Sequence, residues 1–261
     1  MMPYSTLQLD WDETAAVLTL NRPEKRNSLS ETMVEDILAA LSEVEASPVR
    51  SAIITGAGTA FCGGMDLGNL QEINSQSFEQ NLADARRIAN FFRRLYSFPK
   101  PLIAAVNGHA MAGGCGIATL CDFTLAVPAA KFGYTEVRVG FMPALVLIYL
   151  VRQIGEKKAR DLLLSGRVVE AGEALRLGLV TEVVPRQELM AQARALAATL
   201  AAASGASILE TKRLLLASAE GELDRQLELA VQASARMRMT QDFREGISSF
   251  LEKRKPKWTG R

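Results

Sequence analysis

Eight glycines fall in two clusters, each behind a short apolar run. Gly56, Gly58, Gly63 and Gly64 follow Ala52–Thr55, and Gly108, Gly113, Gly114 and Gly116 follow Leu102–Val106. One glycine alone marks a tight turn or close packing, since it takes positive φ without steric cost. Here one arrangement, strand then glycine-rich turn then helix, occurs twice. A helix start leaves backbone N–H groups without intrahelical acceptors. Two such starts converging on one point would hold a developing oxyanion with fixed, uncharged dipoles. Further on, Glu136 lies among Phe132, Tyr134, Val137, Val139 and Phe141. In an alternating stretch Glu136 and Arg138 project the same way, a surface ion pair of little energetic value. Buried among those apolar neighbours instead, the carboxyl would be pushed toward ~6–7 by desolvation and would suit a base near neutrality. On the residues alone both readings stand open.

Other chemistries lack their residues. His109 is the single histidine, and Cys62, Cys115 and Cys121 form no C-x-x-C, which excludes a His-rich metal centre, a zinc ribbon and a disulfide framework. Neither the P-loop, the G-x-G-x-x-G fingerprint nor G-x-S-x-G occurs. With 30 basic against 29 acidic residues the net charge is +1, which gives no cationic field for nucleic acid. Free cysteines fit a reducing compartment. The start of the chain carries no signal-peptide pattern, and the expected location is cytoplasmic. Pro101–Cys121 is 21 residues without a charge, long enough to span a bilayer. Asn107, Gly108 and His109 break it into a buried strand, a turn and a packed helix, so no membrane association is expected.

The elements that must position these groups follow from the hydrophobic pattern. Val17–Leu20 reads as a strand ended by Asn21-Arg-Pro23. Ser28-Leu-Ser-Glu31 has the form of a capping box, after which Leu29, Met33, Ile37, Leu38, Leu41 and Val44 recur at helical spacing. Ala52–Thr55, Leu102–Val106 and Phe123–Val127 read as buried strands, with a polar amphipathic region over Leu70–Phe98. A helix is predicted over Glu188–Ser204 with Gly205 as its C′ residue, and another opening on a box at Ser207–Glu210. Strands separated by helices give an α/β class with crossover connections. A boundary is placed near residue 200, with the core over 1–200 and a helical region over 201–261.

Several segments together resemble the crotonase superfamily, the enoyl-CoA hydratase/isomerase family. They are Asn21–Leu29, Ala60-Phe-Cys-Gly-Gly-Met-Asp-Leu67, Lys100–Gly116, Cys121-Asp122, Phe132–Gly140, Ala174–Val180 and Gln241–Gly246 through Phe250–Lys253. The resemblance implies a spiral of ββα units with a C-terminal helical region used in trimer contacts, as a homotrimer or dimer of trimers. It implies no cofactor, coenzyme A thioester being the substrate. The backbone N–H groups of Met65 and Gly113 match the oxyanion donors. Glu24, Lys25 and Arg26 match the loop beside the coenzyme A adenine and phosphates. Ala60, Gly64, Asp66, Leu67, Gly114, Gly116, Pro143 and Ala144 complete the implied substrate-binding set. Asp66 is expected as a helix-entry cap or turn residue, and His109 as a turn residue.

Departures from the family pattern bear on the reaction. Hydratases of the family usually carry two glutamates; the first falls at Gly116, and the second is Glu136. Ala144 also replaces a usual glycine after Pro143. A lone acid favours moving a double bond from 3-enoyl to 2-enoyl, with one base shuttling the proton. Hydration, of substrates that include branched or methylglutaconyl-type enoyl-CoA, is the alternative, with a second carboxylate supplied by Glu72, Glu79 or Asp84. A non-catalytic, coenzyme A-binding paralogue is a third reading. The basic tail Lys253-Arg-Lys-Pro-Lys257 is either a solvated end or a phosphate contact.

Overall fold

The structure is a computed structural model and describes residues 4–66, 76–218 and 220–260. The strands at the centre of its larger sheet are largely apolar, buried runs, as expected for a sheet covered on both faces. A six-stranded sheet has the order β1 (Leu7–Trp11), β2 (Ala15–Leu20), β3 (Ser51–Gly56), β5 (Leu102–Val106), β7 (Phe123–Ala126) and β10 (Glu182–Val183). Only β1 and β2 pair antiparallel; the other neighbours are parallel. A four-stranded sheet joins β4 (Ala60–Cys62), β6 (His109–Met111), β8 (Lys131–Gly133) and β9 (Val168–Glu170).

The two sheets are built in step. Each of β3, β5 and β7 goes to the large sheet and the strand after it, β4, β6 or β8, to the small one. A helix then returns the chain: α2 (Phe78–Tyr96), α3 (Gly113–Leu120) and α4 (Ala144–Ile154). This is the α/β spiral of ββα units. Because β4, β6 and β8 run parallel and adjacent, the turns leaving them lie side by side. Sequence-distant glycine turns are thereby brought together.

Helix α1 (Glu31–Ala46) covers β1 and β2. Five more helices follow α4: α5 (Glu156–Ser165), α6 (Ala171–Leu177), α7 (Leu189–Ala202), α8 (Gly205–Ala217) and α9 (Glu220–Met237), before the last, α10 (Gln241–Leu251). Of these α7 packs on β3 and β5, and α9 packs on α2 and α4. Among the described residues no helix is long and apolar enough to cross a membrane.

Two local readings need correction. The N-cap of α1 is Ser30, whose hydroxyl accepts from Met33 N–H at 3.2 Å, while Ser28 Oγ turns away to Asp66. Gly205 is not a C′ residue; α7 closes at Ala203, and Gly205 opens α8 behind the cap Ser204, which displaces the box expected at Ser207. Within the polar amphipathic region Leu70–Phe98, α2 opens at Phe78 behind a capping box of Ser77 and Gln80.

Candidate active site

Met65 is fixed by a parallel bridge to Leu29. Leu29 N–H donates to Gly64 O at 2.7 Å, and Asp66 N–H donates to Leu29 O at 3.0 Å. The central residue of such a bridge has its own N–H and C=O on the opposite side. Among the described residues no acceptor meets the Met65 N–H. Gly64 takes φ +94, and a Cβ there would come within 3.0 Å of both Ala112 Cβ and Met111 O, so the strand lies tight against the end of β6.

Gly113 opens α3, where N–H groups lack intrahelical acceptors, and no other acceptor meets it among the described residues. The preceding Ala112 has φ 47 and ψ −122, a strained backbone for a residue with a side chain. Its N–H is anchored on Gly133 O at 2.7 Å. Gly114 leaves no space for a Cβ beside Cys62 O, which locks α3 onto β4.

Glu136 does not alternate with Arg138 along a strand, as the surface-pair reading required. It opens a 3-10 turn, Glu136–Val139. That turn crosses α10 closely: a Cβ on Gly140 would strike Asp242 O, and one on Gly246 would strike Val139 O. The Glu136 side chain is half-buried, its Oε2 is buried, and Oε2 has no hydrogen-bond partner. Burial pushes its carboxyl up from 4.5 to about 7, against a smaller opposing pull from its own backbone N–H.

These groups share one cavity of about 90 Å³. Met65, Ala112, Gly113 and Glu136 line it together with Pro143 and Ala144, and apolar wall comes from Leu29, Ile88, Phe92, Phe141, Leu145 and Val146. Ser234, Arg238 and Phe243 from the C-terminal helical part close it. Among the described residues Glu136 is the one carboxylate on its wall. Sequence reasoning missed Ser234 and Arg238, since nothing local marks a residue of α9, or just after it, as a neighbour of Glu136.

The other expected residues divide. Gly116 is buried within α3 and does not line the cavity; a Cβ there would be 2.6 Å from Val146 Cγ1 and 3.3 Å from Phe92 Cε1. Val146 and Phe92 therefore occupy the space that a first glutamate would need. Neither Glu79 nor Asp84 supplies a replacement. Glu79 is exposed and accepts from Ser77 Oγ, and Asp84 is tied to Arg87 and Arg238. Glu72 and Leu67 lie outside the described residues. Glu24, Lys25 and Arg26 form an exposed 3-10 turn that ends in left-handed Arg26 against Gly63, outside the cavity. Buried Asn27 pins that turn, receiving Arg22 N–H and donating to the carbonyls of Ala57 and Ala60.

Asp66 pairs with Arg22, whose Nη1 stands at 2.8 Å, and accepts from Ser28 Oγ at 3.2 Å; the residues that its expected capping role would serve lie outside the described residues. His109 is the exposed first residue of β6, not a turn residue. Ala60 is buried in β4. Burial pushes the Cys62 and Cys115 thiols up to about 12, as packing side chains rather than nucleophiles. In the basic tail Arg254 is held by Glu245 and Glu252 of its own chain.

Residues 10–261 match the family model for enoyl-CoA hydratase/isomerase. A putative enoyl-CoA hydratase of Thermus thermophilus is 46% identical over 93% of this chain and 96% of its own. A probable enoyl-CoA hydratase of Mycobacterium tuberculosis is 35% identical over the full length of both. The solved enoyl-CoA hydratase/isomerase of Xanthobacter autotrophicus superposes with a TM-score of 0.90 at 31% identity, covering 96% of this chain and 94% of that one. The chain belongs to the enoyl-CoA hydratase/isomerase family, the crotonase superfamily. It is an enzyme of that type, acting on acyl-CoA thioesters.

Proposed function

We infer that the reaction is hydration of a 2-enoyl-CoA. The thioester oxygen rests on the N–H groups of Met65 and Gly113, and Glu136 manages the proton at C2. The observation that carries this reading is the partnerless Oε2 of Glu136 on the cavity wall shared by both amides. As water attacks C3, negative charge grows on the thioester oxygen, where fixed neutral dipoles meet it without reorganising. The protonated carboxyl gives its proton to C2 and takes one from the attacking water, so it ends as it began. The names of the Thermus and Mycobacterium relatives support hydration and reverse the order expected from the lone acid, in which isomerisation came first.

Isomerisation stays as a second reading because of Gly116 and the blocked space beside it. There Glu136 starts ionised, takes the C2 proton and returns it at C4. The deciding experiment assays hydration of 2-enoyl-CoA and isomerisation of 3-enoyl-CoA side by side, in the wild type and in Glu136→Gln. Faster hydration, lost in the variant, supports the first reading; faster isomerisation overturns it. Glu24, Lys25 and Arg26, exposed beside Gly63, are assigned to the coenzyme A side of the substrate. The C-terminal helices are assigned to a trimer or a dimer of trimers.

A further inference from the structure

Arg238 is out of keeping with the cavity it lines. Its side chain is 4% exposed, in a wall otherwise built largely from hydrocarbon and aromatic groups. Its guanidinium carbon stands 5.6 Å from the centre of the Phe141 ring, which itself packs on Phe243 at 5.3 Å. One donor, Nη1, reaches Asp84 Oδ2 at 2.6 Å. Among the described residues Nε and Nη2 have no acceptor. Nor is Asp84 devoted to Arg238, since Arg87 takes its other oxygen at 2.7 Å. Burial opposes ionisation of Asp84, and the two arginines outweigh it and hold the carboxyl low.

A second polar group stands one helical turn back. Ser234 is 1% exposed and lines the same cavity, and among the described residues its hydroxyl has no partner. Arg238 N–H bonds to Ser234 O, so the two residues lie on one face of the chain leaving α9. Their wall differs from the one that supplies the Met65 and Gly113 amides. An acyl tail ending in methyl would bury these donors against carbon and strip them of water, which is costly. A carboxylate would meet a planar fork of N–H groups and a hydroxyl, the charge-assisted geometry for which arginine is suited.

We propose that Arg238, with Ser234, is a specificity site that selects acyl-CoA substrates carrying a carboxylate at the far end of the acyl chain. This rests on the proposed function, which puts the acyl chain in this cavity. The test therefore uses saturated probes that need no turnover. Binding of glutaryl-CoA is compared with pentanoyl-CoA, and adipyl-CoA with hexanoyl-CoA, by calorimetry on the wild type. At one of the two lengths the diacid thioester is expected to bind at least about tenfold more tightly. Arg238→Met should erase the preference and leave the monoacid affinity within about twofold; Asp84 keeps Arg87, and the ion pairs Arg86–Glu228 and Arg93–Asp224 still tie α2 to α9. Arg238→Lys should keep part of the preference.

No preference in the wild type at either length overturns the proposal, and that result needs no variant to fold. Equal loss of both probes in Arg238→Met also overturns it, by showing a purely structural arginine. If none of the four thioesters binds, the assignment of this cavity to acyl groups falls as well, which sets that failure apart.

Discussion

At the scale of single residues, Glu136 carries the most testable chemistry. Its carboxyl titrates near 7 in the folded protein and near 4.5 when ordinary, so between those values the native state holds a proton that the unfolded chain has released. Stability therefore falls as pH rises through that window, and the full cost is present above about 7. Glu136→Gln removes the cost. Relative to wild type it should gain roughly 2–3 kcal/mol in stability between pH 4 and pH 8, read as paired urea unfolding curves. Identical pH dependence in the two proteins would mean that the carboxyl is not desolvated. The same variant should lose about 10²–10⁴ in kcat while still binding thioester. The pH profile of kcat/KM separates the two reactions by sign. Hydration starting from the protonated acid declines above about pH 7, whereas isomerisation starting from the carboxylate declines below it. Glu136, Met65 and Gly113 were legible because each sits inside a contiguous run of the family pattern. Arg238 was not, because only the packing of α9 against α2 and α4 brings it to the cavity.

Elements explain why a backbone site tolerates so little change. The Met65 amide depends on a left-handed Gly64 squeezed against Ala112 and Met111. Gly64→Ala should displace that amide and lower kcat by about 10²–10³, the range for losing one oxyanion donor, with KM much less affected. An equal change in both constants would argue against a role confined to the transition state. Gly116 poses the converse question, whether a first glutamate can be restored. Alone, Gly116→Glu should fold poorly and hydrate no faster, because Val146 Cγ1 and Phe92 stand in the way. Adding Val146→Ala opens that space, and the double variant should hydrate faster than Gly116→Glu in the same assay. The central strands β2, β3, β5 and β7 were read from sequence, since apolar runs bounded by glycine and proline have few other homes, whereas the short strands of the small sheet, with at most three apolar residues each, were not. Caps were read less well. Ser28 competes with Ser30 and Ser207 with Ser204, and local spacing alone could not show that Ser28 is claimed by Asp66, 38 residues away.

For the whole molecule the informative helix is α8 (Gly205–Ala217). It has no buried residue of its own, although a helix of 13 residues gains most of its stability from packing. Leu209, Leu214 and Leu215 are each about half exposed or more, and Leu229 on α9 is exposed as well. Leucines left uncovered on consecutive helices are the kind of surface that association buries. The proposed trimer supplies such a cover, and it gives a clean test because these side chains contribute little to the chain's own core. Leu209→Lys combined with Leu215→Lys should leave each chain folded by circular dichroism. Charge placed at two exposed apolar points of α8 should then shift sedimentation from a multiple of three chains toward a single chain. If the wild type already sediments as a single chain, or the double variant keeps the assembled mass, α8 is not the joining surface, and its leucines face solvent for a reason other than assembly.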